Sequence, residues 1–417
     1  MSKDHKPHHK PDMPLQAEEG RETVGFTIFE KSEFMQRVKA CKKAMTKQGL
    51  DVLFITDPAN MHYLTGYDAW SFYVPQCVLV AMDEEEPIWI GRGIDASGVP
   101  VTTYLEPQNI YSYLDNYVHA DDCHPMDYIA DVLIQKGYDN KVIGVELDSV
   151  YYTAACHKLL EHWLPNAKIR DCHFLVNWLR SVKSENEILL MRQAGVIMDK
   201  VMQVALDNIE PGVRQCDLVA KIRHAQIAGT EEFGGDYTAI VPLLPSGVHS
   251  GVPHLTWTDQ EFQKGEITVM ELASARSHYH CPMARTVFLG NTVPKSLSEI
   301  AKVAEEGIEA ALDVVKEGVR CEKVEEAFRD TLAKYGFVKA SRMGYSTGLN
   351  YPPDWGEHTM SLRPGAKHIL KENMTFHMIP ALWGEDWGVE VSQTFRVTKD
   401  GYEPFGTIPR KLFVKDC

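Results

Sequence analysis

The stretch EITVMELASARSHYHCPMARTVFLG, residues 266–290, decides how the second half of this chain folds. Two apolar runs within it, residues 266–272 and 285–290, have the length and composition that predict β-strands. Glu271 follows four apolar or small residues, so we expect its carboxylate to leave a hydrophobic core and enter a cavity. Burial favours the neutral form of a carboxyl group, which is how acids are tuned for catalysis. Glu271 is therefore a candidate catalytic residue, and a structural acid paired with an arginine is the alternative.

Helical patterns and further strand-like runs surround this stretch. Ser184 and Glu187 form a capping box that opens a long amphipathic helix, expected to stop at Pro211-Gly212. Its predicted apolar face includes Leu189, Ala194, Ile197, Met198, Val201 and Ala205. Further helices are predicted at residues 213–228, 297–316 and 322–335, and strands at residues 237–242, 374–379 and 391–397. Helices beside an antiparallel sheet predict an α+β domain over residues 176–417.

The first half of the chain alternates helical and strand-like patterns. Helical spacing at residues 31–48 is followed by strand-like runs at residues 51–56, 76–82, 87–90 and 142–146. These indicate an α/β domain over residues 26–175. Residues 1–25 are rich in lysine, histidine and proline, which predicts a disordered tail.

Composition excludes several classes of function. The 417 residues carry a net charge of −15 and no long basic cluster, which argues against nucleic acid or an anionic membrane as partner. No apolar run approaches the roughly 18 residues that a membrane span needs. The 9 cysteines contain no Cys-x-x-Cys pair, so neither a disulfide framework nor a thiolate zinc site is indicated. The polar N-terminus lacks the regions of a secretory signal, so a cytoplasmic location is expected.

Several motifs carry a resemblance to a known family. Residues 60–67, NMHYLTGY, resemble the N-x-x-Y-L-T-G signature of creatinase and prolidase N-terminal domains. Residues 184–191, 246–254 and 266–290 are similar to the linker helix, histidine motif and ligand-bearing hairpin of the M24 family. The resemblance implies an α/β creatinase-like N-terminal domain and an α+β catalytic domain with the pita-bread fold. It covers nearly the whole chain after residue 25.

The family's metal positions are replaced in this chain. Metal-dependent members hold two divalent ions with two aspartates, a histidine and two glutamates, which suit hard ions that activate water. The resemblance places these positions on Glu271, Pro282, Tyr345, Ile379 and Ser392. Proline and isoleucine side chains cannot ligate a metal, and one carboxylate cannot hold a dinuclear site. No catalytic metal and no cofactor are therefore predicted.

Longer strings narrow the resemblance to the ectoine hydrolases, a metal-free group of this family. The strings are residues 67–73, 239–247, 253–257, 279–282, 351–357 and 409–416. This resemblance implies a hydrolase that opens the cyclic amidine ectoine, or 5-hydroxyectoine, to N-acetyl-diaminobutyrate. The substrate class is then a small zwitterionic or cationic molecule. The chain departs from the group at residues 273–278 and 380–381, close to the expected substrate, so the exact substrate stays open.

Other functions remain as alternatives. A creatinase-type amidinohydrolase shares the metal-free chemistry, whereas a dimethylsulfoniopropionate lyase and an Xaa-Pro peptidase of this fold rely on metal ligands that the chain lacks. A pseudoenzyme could also have lost those ligands. Glu271 and His254 are both retained, which favours an enzyme. The resemblance further implies a homodimer in which the first domain of one chain helps to close the site of the other.

The resemblance assigns roles to individual residues. Glu271 is the expected nucleophile, with general base for water as the alternative. His254 occupies the histidine position used for proton transfer, and a structural histidine is its alternative. Glu390 is expected to bind a cation, and Arg285 or Arg342 a carboxylate, although either arginine could brace the sheet. The full set of candidate substrate-binding residues is Tyr67, Trp70, Phe72, His280, Arg285, Arg342, Tyr345, His377 and Glu390.

Overall fold

The structure is a computed structural model that describes residues 28–417, so the predicted tail at residues 1–25 lies outside the described residues. The chain divides into two compact units, Met1–Leu179 and Arg180–Cys417. None of the described helices is long and apolar enough to cross a membrane.

The first unit has the predicted α/β architecture. Its elements are α1 (Lys31–Gln48), β1 (Val52–Ile55), α2 (Pro58–Thr65), β2 (Cys77–Ala81), β3 (Ile88–Arg92), α3 (Gly93–Ala96), α4 (Val99–Thr102), β4 (Ile110–Tyr113), α5 (Pro125–Gln135), β5 (Val142–Val145), α6 (Ala154–Trp163) and β6 (Lys168–Asp171). The strands form a mixed sheet in the order β4-β3-β2-β1-β5-β6. Apolar residues of α5 and α6 pack against this sheet and form the core of the unit.

The signature motif at residues 60–67 is anchored by hydrogen bonds to other residues of the first unit. Glu146, at the end of β5, accepts hydrogen bonds from the backbone N–H groups of Thr56 and Asp57 and from Asn60 Nδ2, the last at 2.6 Å. Asn60 also donates to Asn177 Oδ1 at 2.8 Å. These contacts attach the start of α2 to the sheet, so the asparagine of the motif has a structural role.

The second unit begins with the last residue of the helix α7 (Leu175–Arg180) and is an α+β domain. Its elements are α8 (Glu185–Asn208), α9 (Gln215–Ala228), β7 (Ile267–Arg276), β8 (Tyr279–Leu289), α10 (Lys295–Asp313), α11 (Cys321–Lys334), β9 (Gly344–Thr347), β10 (Gly356–Leu362), β11 (Thr375–Met378), β12 (Ala381–Trp383), β13 (Gly388–Glu390), β14 (Gln393–Val397), β15 (Tyr402–Phe405) and β16 (Phe413–Lys415). Its sheets have the orders β16-β8-β7, β10-β9-β11-β14-β15 and β12-β13. Buried residues of α10 and α11 share one core with the second of these sheets.

The long helix α8 starts where the capping box predicts. The Ser184 side chain accepts from the N–H of Glu187, and the Glu187 carboxylate accepts from the N–H of Ser184. The buried face includes Ile188 and Met191 as well as most of the predicted residues. Leu189 is 52% exposed and was wrongly placed on this face, because it lies one position beyond the buried stripe.

The strands β7 and β8 form a longer hairpin than predicted. They pair in antiparallel register over their whole length, with Glu271 opposite Ala284 and Ala273 opposite Pro282. Glu271 therefore lies in the middle of a strand and not at its end. The predicted strand at residues 237–242 is irregular chain, and only Leu243 and Ser246 form isolated bridges to β7. This irregular segment leaves room for a cavity beside Glu271.

Candidate active site

A cavity of about 430 Å³ lies within the second unit, a volume in the range of small-molecule sites. It forms where β7, β9, β12 and β13 meet the irregular segment before β7. Acidic, basic and apolar side chains all contribute to it. The lining residues are Ile240, Leu243, Pro253, His254, Glu271, Lys339, Ser341, Arg342, Tyr345, Asp354, Ile379, Ala381, Trp383 and Glu390.

Glu271 is held rigidly at this cavity. Its backbone N–H and C=O exchange hydrogen bonds of 3.0 Å with Leu243 on one side, and β8 pairs with it on the other. Burial, and then the charge of Asp354, raise the pKa of Glu271 to about 7. A cationic ligand beside the carboxylate would favour the charged form. Glu271 is thus an acid that can change its protonation state near neutral pH.

Glu390, at the end of β13, is a second buried carboxyl group in the cavity. Its backbone N–H donates to Thr286 Oγ1 at 2.8 Å, which fixes the strand against β8. Within residues 28–417 its Oε1 atom has no hydrogen-bond partner. Burial and the charge of Glu271 raise its pKa well above the usual value, against the opposing charge of Lys339. A buried oxygen without a partner is costly unless a ligand donates to it.

Two basic side chains line the same cavity. The guanidinium carbon of Arg342 lies 4.4 Å from the ring centroid of Tyr345, and its Nη1 donates to Ser361 Oγ at 3.2 Å. Lys339 Nζ donates to the carbonyl oxygen of Ala381 at 3.2 Å. Burial lowers the pKa of Lys339, and Glu390 opposes this shift. The cavity therefore offers both signs of charge to a ligand.

Asp354 is an acidic residue of the cavity that was not among the predicted site residues. Its carboxylate accepts hydrogen bonds from His358 Nε2 at 2.7 Å and from the N–H of Gly356 at 3.1 Å. Burial alone would raise its pKa, but these hydrogen bonds and the charges of His358 and Arg342 lower the pKa below its usual value. Asp354 thus stays ionised near Glu271. The only feature of the sequence that could have indicated Asp354 was its place in the string of residues 351–357. Lys339 and Trp383 also line the cavity, and no pattern in the sequence indicated them.

A chain of hydrogen bonds lies behind Tyr345. Trp355 Nε1 donates to Tyr345 Oη at 2.7 Å, and His377 Nδ1 lies 3.1 Å from the same oxygen. His377 Nε2 lies 2.8 Å from Ser392 Oγ, which accepts the N–H of Ala284 at 2.6 Å. His377 itself does not line the cavity. The structure places His377 behind Tyr345 and not at the cavity surface, where the predicted contact with substrate would require it.

His254 lines the cavity from an exposed loop. Its φ of 67° is left-handed, which is uncommon for a residue other than glycine and recurs at functional sites. The loop is held by close backbone contact, because a Cβ atom on Gly251 would lie 2.4 Å from the carbonyl oxygen of Gly384. The structure therefore brings His254 and Glu271 to one cavity.

Arg285 and His280 lie away from the cavity, and the structure corrects both predictions. The guanidinium of Arg285 is buried and donates to the carbonyl oxygens of Ala284, Ser392, Ile408 and Pro409, so it braces the backbone. Burial lowers its pKa to about 9. His280 accepts from the N–H of Ala239 and contacts the carbonyl of His278, and burial lowers its pKa to about 3. Both side chains are fully buried, and neither lines the cavity.

The three predicted aromatic residues belong to the first unit. Tyr67 is buried, and its hydroxyl lies 2.8 Å from Ser71 Oγ. Trp70 is 59% exposed, and its ring lies 4.8 Å from that of Phe72. Their role in binding substrate stays a prediction.

The side chains at the family's metal positions do not fit a pair of metal ions. Pro282 lies opposite Ala273, on the face of the hairpin that carries Glu271, and has no ligand atom. Ile379 lines the cavity with an apolar side chain. Tyr345 and Ser392 are hydrogen-bonded to neighbouring residues. Among the described residues, no three ligand atoms from the acids and histidine of this cavity lie within 4.8 Å of one another.

Comparison with known proteins identifies both halves of the chain. Residues 37–182 match the creatinase/prolidase N-terminal domain, and residues 189–399 match metallopeptidase family M24. A dipeptidase structure from Pyrococcus horikoshii is similar, with a TM-score of 0.76 and 20% identity over 91% of this chain and 99% of that one. This likeness confirms the predicted fold class.

Two relatives are more similar in sequence. Ectoine hydrolase of Halomonas elongata is 44% identical over 93% of this chain and 98% of its own length. An uncharacterised hydrolase/peptidase of Sinorhizobium fredii is 43% identical over 93% of this chain and 99% of its own length. The strings noted in the sequence therefore belong to a likeness that extends over nearly the whole chain.

Proposed function

The chain belongs to metallopeptidase family M24 and is a hydrolase similar to ectoine hydrolase, and from this we propose that it opens ectoine or 5-hydroxyectoine without a metal. Ectoine contains a cyclic amidine, which is cationic when protonated, and a carboxylate. Hydrolysis adds one water molecule and breaks one ring C–N bond. The product is N-acetyl-diaminobutyrate.

The observation that carries the proposal is the pair of acids Glu271 and Glu390 in one cavity with Lys339 and Arg342. An amidinium offers N–H donors in a plane, which suit carboxylate acceptors such as the unpartnered Glu390 oxygen. The substrate carboxylate would then contact Arg342 or Lys339. Binding the cation would also favour ionised Glu271, because an opposite charge lowers the pKa of a carboxyl group.

In the proposed reaction Glu271 is the nucleophile and His254 the proton donor. A carboxylate oxygen of Glu271 forms a bond to the amidine carbon, and the C=N electron pair moves to nitrogen, which gives a neutral tetrahedral adduct. One ring C–N bond then breaks as its nitrogen takes a proton from His254. Water then attacks the same carbon and the bond to Glu271 breaks, which gives the acetamide product and restores the Glu271 carboxylate. The two protons that water loses go to His254 and to the released amine. The alternative is that Glu271 acts as a general base for water, with no covalent adduct.

Metal independence is part of the proposal and rests on the side chains at the ligand positions. The side chains of Pro282 and Ile379 have no atom that can bind a metal ion. The charged residues of the cavity are both acidic and basic, which suits a ligand that carries both charges. In such a site Glu271 would replace the metal-activated hydroxide of the family's peptidases.

A homodimer is also proposed, with the first unit of each chain contributing to the site of the other. Exposed Trp70 and Tyr73, 59% and 56% accessible in a single chain, support it because apolar surface of this kind is typical of interfaces. Light scattering of the active enzyme tests this. A fully active monomer would contradict it. A cytoplasmic location stays a prediction.

Incubation with ectoine, 5-hydroxyectoine, creatine and dimethylsulfoniopropionate, with products identified by mass spectrometry, tests the substrate. We expect a product one water heavier from at least one ectoine. Glu271→Gln should abolish it, and the matched change Glu372→Gln at an exposed position should not. Consumption of another compound with neither ectoine attacked would overturn the substrate.

The nucleophile and the general base can be separated in the same reaction. Acid quenching during turnover, followed by peptide mass analysis, should find the substrate mass on the peptide that contains Glu271. Product formation with no adduct under single-turnover conditions would favour the general base.

A further inference from the structure

From the hydrogen bonds behind the cavity we infer that Tyr345 is an oriented hydrogen-bond donor to a nitrogen of the tetrahedral adduct, and that His377 and Ser392 are the positioning residues that orient it. This inference rests on the proposed function for the identity of the acceptor. The direction of the Tyr345 hydroxyl follows from the protein alone. It is derived from three neighbouring groups.

The first group is the indole of Trp355. Its Nε1–H lies 2.7 Å from Tyr345 Oη, and an indole nitrogen can only donate. Tyr345 Oη must therefore accept this hydrogen bond. Its own proton points elsewhere.

The second group is His377, which lies 3.1 Å from the same oxygen through Nδ1. His377 is fully buried, and burial together with the charges of Arg285 and Arg342 lowers its pKa to about 3. At neutral pH the ring is uncharged, so one nitrogen carries a proton and the other accepts.

The third group, Ser392, decides which nitrogen carries that proton. Its Oγ already accepts the N–H of Ala284 at 2.6 Å and lies 2.8 Å from His377 Nε2. If Nε2 carried the proton, the Ser392 hydroxyl would receive two donors, and its own proton would have no acceptor among the described residues. An unsatisfied buried donor disfavours that tautomer about 5-fold or more. The proton therefore resides on Nδ1, and Ser392 donates to Nε2.

Tyr345 Oη then accepts from both Trp355 Nε1 and His377 Nδ1. With these two hydrogen bonds made, its O–H is directed to the cavity that it lines. Burial, and then the charge of Glu271, raise the pKa of Tyr345 well above its usual value, so the group stays a donor.

The donor finds its partner only after the reaction has begun. An amidinium ion carries N–H groups and no nitrogen lone pair, so it cannot accept from Tyr345. When Glu271 forms its bond to the amidine carbon, the nitrogens of the adduct gain lone pairs. An interaction made only in the transition state raises kcat and leaves KM nearly unchanged.

Kinetics test the donor. Tyr345→Phe should lower kcat about 100-fold with KM unchanged or lower, and the matched change Tyr335→Phe at an exposed tyrosine should alter neither. Ser392→Ala should lower kcat roughly 10-fold, and Ser392→Thr, which restores a hydroxyl, should recover it. A raised KM with unchanged kcat in Tyr345→Phe would overturn the inference, and so would full activity.

Histidine ¹⁵N NMR of the unmutated protein tests the orientation without any substrate. The His377 signals, assigned by their loss in His377→Gln, should show a protonated Nδ1 and an unprotonated Nε2. A protonated Nε2 would overturn the inference. Because this measurement needs no turnover, it remains decisive if the ectoines are not substrates, and the kinetic test then uses whichever compound is consumed.

Discussion

Replacing Asp354 with asparagine should move the acidic limb of the pH profile to lower pH. Two causes raise the pKa of Glu271 to about 7: burial, and then the charge of Asp354. Because burial is the larger cause, Asp354 accounts for less than half of the rise, or up to about 1 pH unit and about 1.4 kcal/mol. Asparagine keeps an oxygen that can accept from the N–H of Gly356, and it removes the charge together with the Oδ2 atom that contacts His358 Nε2.

The assay is kcat/KM as a function of pH, which reports the pKa values of the free enzyme. Glu271 must be ionised to act, so kcat/KM of the parent should rise through about pH 7. If the pKa falls from about 7 to about 6, the ionised fraction at pH 6 rises from about 10% to about 50%. The ratio of variant to parent should then be about 5 times larger at pH 6 than at pH 9.

This ratio cancels any pH-independent loss, such as weaker binding of the substrate cation. Asp400→Asn, at an exposed turn, is the control that should leave the limb in place. An acidic limb of Asp354→Asn that is unchanged, or displaced to higher pH, would refute the assignment of Asp354 as the charge that acts on Glu271.

The remaining predictions concern stability, metal and the proposed proton donor. Because the pKa of buried Glu271 is raised from 4.5 to about 7, its protonated form favours the folded state; this contribution is complete below about pH 4.5 and is lost as the pH rises to about 7. At pH 8 the free energy of unfolding of Glu271→Gln, measured in urea, should therefore exceed that of the parent protein by up to about 3 kcal/mol. At pH 4.5 this gain should be absent. Lys183→Met should cost about 3–5 kcal/mol, because it leaves buried Glu357 without the lysine that contacts it at 2.7 Å, and adding Glu357→Leu should recover most of the loss; no recovery would contradict the ion-pair explanation. Stripping with a chelator should leave activity unchanged, whereas one or two tightly held ions per chain with activity lost on removal would refute metal independence. His254→Ala should lower kcat without changing the unfolding midpoint, since the side chain is exposed, and parent-like turnover would remove His254 from the mechanism.

Local signals in the sequence were sufficient for the elements and for part of the site. The capping box of Ser184 and Glu187 predicted the start of α8, because both of its hydrogen bonds are made within one turn. The apolar runs beside Glu271 predicted a buried strand, and residues 267–276 form one. Glu271, His254, Tyr345, Arg342 and Glu390 were all proposed from the sequence, and all line the cavity.

Tertiary packing alone decided which polar residues face the cavity and which brace the core. Arg285 looked like a partner for a carboxylate, yet it donates to carbonyl oxygens of Ile408 and Pro409, more than a hundred residues along the chain. Asp354 and Lys339 enter the cavity from loops with no periodic pattern, and His377 lies behind Tyr345 because β9 pairs with β11. The alternation of side chains along a strand predicts which residues share a face of the sheet. The element that packs on that face determines whether it borders a cavity or the core. That information resides in contacts between distant segments, which no local pattern of residues records.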